Sequence, residues 1–492
     1  MNKVLLDTDN PGWNFDNSFK LLPDILMTAI KPIPVKDPKI FIFNERLEKY
    51  LGLDFSKINL KQKDLLLSGN KIPMNTQTIA QAYAGHQFGF FTNLGDGRAI
   101  LIGEHLNPKN KRFDIQLKGS GRTPYSRNGD GRAALGPMLR EYIISESMHY
   151  LGIPTSRSLA VVTTGESVIR EKPLNGAILT RVASSHIRIG TFQYLASKGD
   201  LKTLKKLINY TVNRHYPKIE KTKNLSIELL KKFLEKQIKV IVDWMRVGFI
   251  HGVMNTDNMF LSGETIDYGP CAFMDLYDPK TVFSSIDYQG RYAFGNQPII
   301  AHWNLSRFAE TLIPFFDNDE KKSIKIGTEI INSFTEKYEN EWLDMMRKKI
   351  GLIEKKEDDK KLINELLDIM LNNKMDYTNT FCDLINEDII NEKYYKNINF
   401  KNWHLKWKKR ILENNKNLNN IKDLMKKNNP FIIPRNHKVE EALNFAISDQ
   451  NNIKFKEYCE ILSDPYNYNL KKNEYRFPSD VLDKNYQTFC GT

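Results

Sequence analysis

The stretch 251-HGVMNTDNMFLSGETIDYG-269 decides how this chain is read. His251 and Asn258 stand seven residues apart, the apolar run Met259-Phe260-Leu261 follows as a predicted short strand, and Asp267-Tyr268-Gly269 arrives nine residues beyond Asn258. An amide oxygen and a carboxylate spaced in this way across a short strand are suited to share a hard cation, which prefers oxygen donors. A second carboxylate, Asp257, sits beside Asn258, while the position two after His251 is apolar Val253.

The His, Asn and Asp-x-Gly spacing is that of the catalytic and metal loops of protein kinases, where an Asp two residues after the His serves as base. Val253 occupies that place here, so the carboxylate has moved to Asp257. Working outward, the pieces 88-FGFFT-92, 93-NLGDGR-98, 99-AILIGE-104, 105-HLNPKNKR-112 and 113-FDIQLKG-119 read as strand, glycine turn, strand, hairpin turn and strand. A helix is predicted over Leu135 to Tyr150, with Pro137 tolerated in its first turn and Gly152 ending it. In the order of a kinase small lobe, Gly95 and Gly97 fall in the loop over the phosphates. Lys118 ends the third strand, and Glu141 on the helix can pair with it. Singly, a GDG turn, a strand-end Lys or a helical Glu is more often ordinary surface; their joint order is the signal.

Ahead of the opening stretch, 227-IELLKKFLEKQIKVIVDWMRVG-248 puts Leu230, Leu234, Ile238, Ile241 and Met245 on one helical face and ends at Gly248. Beyond about residue 320 the chain is Lys, Glu and Asn-rich with helical periodicity, including the stretches 345–361 and 404–429. The fold class expected is α+β: a protein-kinase-like bilobal fold with a β-rich small lobe, a helical large lobe and a helical C-terminal extension. The expected division is 1–80 as N-terminal extension, 81–185 as small lobe, 186–320 as large lobe and 321–492 as helical region with a cysteine-containing tail.

A chain of 492 residues exceeds one ordinary core, and 41% hydrophobic with 27% charged residues is a globular balance. No run of about eighteen apolar residues suggests a membrane span. The first twenty residues carry Asp7, Asp9 and Asp16 and no apolar segment, so neither a secretory signal nor an Arg-rich transit peptide is expected, and a cytoplasmic location follows. The net charge of +13 lies mostly in Lys/Asn-rich helical stretches that read as solvated faces, so no nucleic-acid partner is expected. Four cysteines, Cys271, Cys382, Cys459 and Cys490, form no disulfide framework and no CxxC pair. Cys490, third from the end, suits a reactive thiol better than a core one.

The segments 83-YAGHQFGFFTNLGDGRAILIGE-104, 114-DIQLKGSGRTPYSRNGDGRAALGPMLREYIISE-146, 179-LTRVASSHIRIGTFQY-194, 251-HGVMNTDNMFLSGETIDYGPCAFMD-275 and 287-DYQGRYAFGNQP-298 closely resemble the selenoprotein O family, kinase-like proteins that act as protein adenylyltransferases. Looser similarity at 429-NPFIIPRNHKVEEAL-443 and Cys490-Gly491-Thr492 extends the resemblance to nearly the whole chain. It implies that Gly95, Gly97, Arg98, Lys118, Asp130, Gly131, Arg181, Arg188 and Asp267 contact ATP. It further implies Asp257 as proton acceptor, Asn258 and Asp267 as ligands of Mg²⁺ (Mn²⁺ as the alternative), and Glu141 as the ion-pair partner of Lys118. The family places a selenocysteine or cysteine where Cys490 stands, and Cys271 is a candidate redox partner.

Resemblance also implies a nucleotide flipped relative to kinases, and Arg98, Arg181 and Arg188 give that physical sense. Planar guanidinium forks suit the oxygens of a pyrophosphate leaving group, leaving the α-phosphorus open to a protein hydroxyl. The leading expectation is AMP transfer to Ser, Thr or Tyr of protein substrates by a monomer. A protein or small-molecule kinase and a catalytically silent nucleotide-binding scaffold are the rivals.

Overall fold

A computed structural model describes residues 10–386, 389–413, 417–449, 451–470, 473–479 and 486–488. The chain is α+β, with a sheet-rich lobe built mainly from the first 183 residues and helices filling most of the remainder. The sheet is antiparallel throughout. It uses β1 (Met27–Ala29), β2 (Lys39–Phe43), β3 (Ile79–Gln81), β6 (Ala99–Leu106), β7 (Arg112–Lys118), β9 (Arg157–Ile169) and β10 (Pro173–Ala183) in the order β1-β3-β6-β7-β10-β9-β2, while β8 (Ala133–Ala134) pairs with β10.

The long apolar strands run through its middle. Leu179 of β10 lies opposite Lys118 of β7, and Arg181 lies opposite Gln116. Side chains alternate along a strand, so Gln116, Lys118 and Arg181 share one face. The helix α3 (Leu135–Tyr150) covers that face, with bounds matching the sequence expectation. It is buried nearly all round, as a helix packed on both sides must be: β9 and β10 lie on one flank, and the helices Asn436–Ser448 and Ile453–Leu462 lie on another. Glu141 is thereby buried against the sheet.

Two expectations are corrected. The run 88–92 was read as a strand leading through the 93–98 turn into the next. Instead β5 (Phe90–Asn93) pairs with β4 (Ala84–Gln87) as a separate two-stranded ribbon, and Phe88-Gly89 is its turn. Residues 94–98 therefore link the ribbon to the sheet. Met259-Phe260-Leu261 forms no strand either; Phe260 makes a single bridge to Arg188, leaving this stretch to follow the walls of the site.

The helix α6 (Leu225–Val247) is capped by the Asn224 side chain and ended by Gly248 at φ 74, where glycine is cheap. Leu230, Leu234, Ile238, Ile241 and Met245 are all buried as expected, each contributing roughly 1.5–3 kcal/mol of transfer free energy. Its end delivers the chain directly into residues 251–258. The later Lys-rich stretches are only partly helical. One helix, Glu320–Lys349, stops before Gly351 at φ 76 and another restarts at Asp359; the 404–429 stretch falls in helices Ile398–Leu412 and Leu418–Asn428. No helix among the described residues is long and apolar enough to cross a membrane.

Candidate active site

Strand β7, strand β10, helix α3 and the loop after α6 converge on a cavity of about 900 Å³. Its lining includes every nucleotide and metal candidate from the sequence: Gly95, Gly97, Arg98, Lys118, Asp130, Gly131, Glu141, Arg181, Arg188, Asp257, Asn258 and Asp267.

The centre is a cluster of charges. Lys118 Nζ lies 2.6 Å from Glu141 Oε2 and 2.9 Å from Asp267 Oδ1. Arg181 donates from Nε to Glu141 at 2.8 Å, from Nη2 to Asp267 Oδ1 at 2.6 Å, and from Nη1 to Gln116 at 3.3 Å. Arg188 reaches Asp267 Oδ2 at 3.5 Å. Burial by itself would push the Asp267 carboxyl up, but Lys118, Arg181 and Arg188 together hold it well below the usual carboxylate range. Glu141 is likewise buried and likewise kept low by Arg181 and Lys118. Asp267 sits at φ 60, an uncommon conformation for a residue with a side chain, which fits a position held for function rather than for ease of folding.

Arg188 is caged differently. Tyr83 and Phe260 lie 4.3 Å and 5.3 Å from its guanidinium, Nη1 donates to the Asp257 carbonyl at 2.8 Å, and buried Asp96 stands 3.8 Å from Nη2. Among the described residues its buried Nε has no hydrogen-bond partner. A desolvated donor left open beside a cavity is costly unless something fills the gap, so this group is suited to an anion.

Asp257 lies in a single 3₁₀ turn, Thr256–Asn258. Gly85 of β4 and Gly190 at the start of α4 (Ile189–Ser197) back onto it: a Cβ on Gly85 would come within 2.8 Å of the Asp257 Cγ, and one on Gly190 within 3.4 Å of its Cα. Oδ1 has no partner. Burial pushes the Asp257 carboxyl up to about 6, against the pull of Arg188 and the Gln87 side chain. A carboxylate raised toward neutrality and facing a cavity is suited to take a proton.

His251 supports this loop from behind. Its Nδ1 accepts from Val253 N–H at 3.3 Å, so Nε2 carries the proton and donates to the Ile266 carbonyl at 2.9 Å. The residue thus ties the Asp257 loop to the Asp267 loop. Asn258 spends its amide nitrogen on the Val253 carbonyl at 3.0 Å, leaving the oxygen for a cation. Among the described residues no group of three or more His, Cys, Asp or Glu could hold a metal alone. Mg²⁺ is commonly held by one or two carboxylates plus substrate phosphates, so a site of Asn258 and Asp267 fits an ion bound jointly with a nucleotide.

The glycines also make room for a neighbouring loop. A Cβ on Gly95 would strike the Tyr125 ring, with Cδ1 at 2.6 Å, and one on Gly97 would meet the Tyr125 carbonyl at 2.9 Å. Both let residues 119–132 close over the cavity mouth. Gly131, at φ 69, packs on the Gly121 backbone in the same loop, and Asp130 pairs with Arg170 at 2.9 Å. Arg98 is half-buried and has no ion pair among the described residues. Cys271 is buried, and burial pushes its thiol up to about 12; Cys490 lies outside the described residues.

Sequence reasoning missed Asp96, Gln87, Tyr83 and the Gly85 and Gly190 cradle. Asp96, between Gly95 and Gly97, carries no signal of its own in the sequence; in the fold it is 2% exposed and accepts from Gln81 N–H at 3.1 Å.

A family profile described as "Protein adenylyltransferase SelO" matches residues 12–463. The chain is 56% identical to the "Protein nucleotidyltransferase YdiU" of Pelagibacter ubique (strain HTCC1062), over 98% of this chain and 99% of that protein. It is 54% identical to the protein of the same name from Brevibacillus brevis, over 99% of each chain, and 53% to that from Anoxybacillus flavithermus, over 98% and 100%. Together with the charge cluster and the buried Asp257, these matches establish that the chain belongs to the SelO family of protein adenylyltransferases.

Proposed function

We propose that this enzyme transfers AMP from ATP to Ser, Thr or Tyr hydroxyls of protein substrates, on a kinase-like fold with the nucleotide flipped relative to kinases. The observation that carries the reading is the arrangement of Lys118, Arg181 and Arg188 around Asp267, with the raised carboxyl of Asp257 lining the same cavity. Three buried cations suit the β- and γ-phosphates. Arg98 and the loop with Asp130 and Gly131, at the cavity mouth, suit the remainder of the nucleotide.

In the reaction the acceptor oxygen bonds to the α-phosphorus as the bond to the β-phosphate bridging oxygen breaks. Pyrophosphate leaves onto the cations, whose preset positions favour charge developing in the transition state. Asp257 orients the hydroxyl and takes its proton. Glu141 holds Lys118 and Arg181 in place. Asn258 and Asp267 would hold Mg²⁺, which neutralises charge on the bridging and leaving oxygens. The reading includes a cytoplasmic monomer that acts on proteins and not on nucleic acid or membranes.

The deciding experiment supplies ATP labelled on either the α- or the γ-phosphate. Label should pass to protein from the α-position only, and Lys118→Ala should abolish it through lost phosphate positioning. Transfer of γ-label would restore the kinase reading despite Val253. Nucleotide binding with no transfer of either label would favour a silent scaffold.

A further inference from the structure

The β4–β5 ribbon has two faces. Gly85 backs onto Asp257 and Gln87 lines the cavity. By strand alternation, His86 and its cross-strand partner Phe91 point the other way. There the His86 ring lies 5.3 Å from Phe91 and 5.3 Å from Trp303 of α7 (Gln297–Leu312). Two guanidinium groups flank Trp303, Arg291 at 4.9 Å and Arg307 at 5.3 Å from the ring centre. Arg307 is ion-paired with Glu310. Arg291 has no ion pair among the described residues, and the neighbouring Asp287 carboxylate is spent on the backbone N–H groups of Arg291 and Tyr292, at 2.9 Å and 2.8 Å.

This surface is fastened to the loop that carries Asp257. His86 N–H donates to Thr256 Oγ1 at 2.7 Å; Phe88 N–H and the Tyr292 hydroxyl both donate to Asn255 Oδ1, at 3.1 Å and 2.7 Å. The ribbon turn needs positive φ at both residues, and Phe88 adopts φ 50 beside Gly89 at φ 91. A bulky residue there is strained, and its ring is held 5.1 Å from Tyr292. Strain kept next to a reactive carboxyl points to a role for the ribbon. At its end Phe91, on the His86 face, is 44% exposed.

We propose that Phe91, Trp303 and Arg291 dock the acceptor protein, and that they select a segment carrying Asp or Glu close to the modified hydroxyl. The proposal rests on the adenylyltransferase reading. Aromatic and arginine side chains supply most interface energy, and a half-buried guanidinium on an indole, lacking an anion of its own, favours a carboxylate partner. A single ribbon separates this face from Asp257. A chain passing round its edge covers roughly 10–20 Å, about three to six residues of extended chain, so the selected carboxylate falls within about six residues of the acceptor hydroxyl.

The test incubates the full chain with ATP, Mg²⁺ and a nucleotide-free protein extract, maps AMP-bearing sites by mass spectrometry and measures nucleotide affinity of each variant. Modified sites should carry an excess of Asp and Glu near the hydroxyl. Arg291→Glu should cut transfer to acid-flanked sites about tenfold, as expected for loss and reversal of one close charge pair, enrich Lys- and Arg-flanked sites and leave nucleotide affinity unchanged. Arg291→Lys should keep the acidic preference. Trp303→Ala, with folding checked by its melting temperature, should weaken the same sites. An unaltered site set and rate for Arg291→Glu, or no acidic excess in the unmodified protein, would overturn the docking surface. No AMP on any site with the unmodified protein would overturn the adenylyltransferase reading, and the docking surface with it.

Discussion

Gly85→Ala asks whether Asp257 works where the ribbon holds it. The added methyl would stand 2.8 Å from the Asp257 Cγ and 2.9 Å from its Cβ, with Oδ1 nearer still. Ordinary contact is about 3.5 Å or more, so something must yield by about 0.6 Å or more. The ribbon resists, because His86 N–H and Phe88 N–H tie it to Thr256 and Asn255. The carboxylate therefore moves. A reacting group misplaced by about 1 Å costs on the order of a hundredfold in rate, about 2.7 kcal/mol in the barrier. Overpacking removes roughly 1–3 kcal/mol of stability besides. Lys118, Arg181 and Arg188 are untouched, so nucleotide affinity should hold. Single-turnover transfer of α-label, nucleotide titration and a melting curve read the three quantities separately. Full transfer by a folded Gly85→Ala variant would refute the role given to Asp257. A parallel loss of nucleotide affinity would mean that the glycine serves the nucleotide instead.

Because burial puts the Asp257 carboxyl at about 6, kcat/KM should climb with pH to a plateau above about 6, and a rate independent of pH from 5 to 8 would exclude it as base. The same shift carries a stability cost. Below about pH 4 both states are protonated; from there to about 6 the unfolded chain ionises first and the folded state loses ground; above that the penalty is constant. Asp257→Asn should thus be inactive yet more stable at pH 8, by up to about 3 kcal/mol, with no gain near pH 3.5, and equal melting at both pH values would contradict this. Asp267→Ala removes a carboxylate shared by three buried cations, so it should abolish transfer, weaken the metal dependence of nucleotide binding and cost roughly 3–5 kcal/mol. Exposed Asp358 should tolerate alanine within about 0.5 kcal/mol. Mild oxidation should join Cys271 to Cys490: Thr488 Oγ1 already donates to the Pro270 carbonyl at 2.6 Å, beside Cys271. Peptide mapping that finds Cys490 free or paired elsewhere would remove Cys271 from that role.

Much of the site could be read along the chain, because its signals are local. The stripe Leu230, Leu234, Ile238, Ile241 and Met245 needs only the helical repeat, and the α3 bounds follow from Pro137 and Gly152. The spacing of His251, Asn258 and Asp267 and the Lys118 with Glu141 pairing rest on order along the sequence, and the two partners do meet at 2.6 Å. Strand partners are another matter. Aromatic and β-branched residues mark β5 as a strand but carry no record of its neighbour, and pairing with β4 rather than the main sheet makes Phe88-Gly89 a turn over the Asp257 loop.

Tertiary structure alone decided which charges share a desolvated volume. Arg181 lines the cavity and is at the same time bound to Glu141, Asp267 and Gln116. Asp96, between the two turn glycines, is a buried neighbour of Arg188. Gly95 and Gly97 yield to Tyr125, while Gly85, unremarkable in sequence, is the residue against which Asp257 rests. Residue type and spacing are properties of the chain, so the sequence itself determined the chemistry available. Burial, and with it the rise of Asp257 to about 6 and the depression of Asp267, depends on which distant segments exclude water from a given carboxyl. That is set only when β4, β7, β10, α3 and the 251–269 stretch close on one cavity.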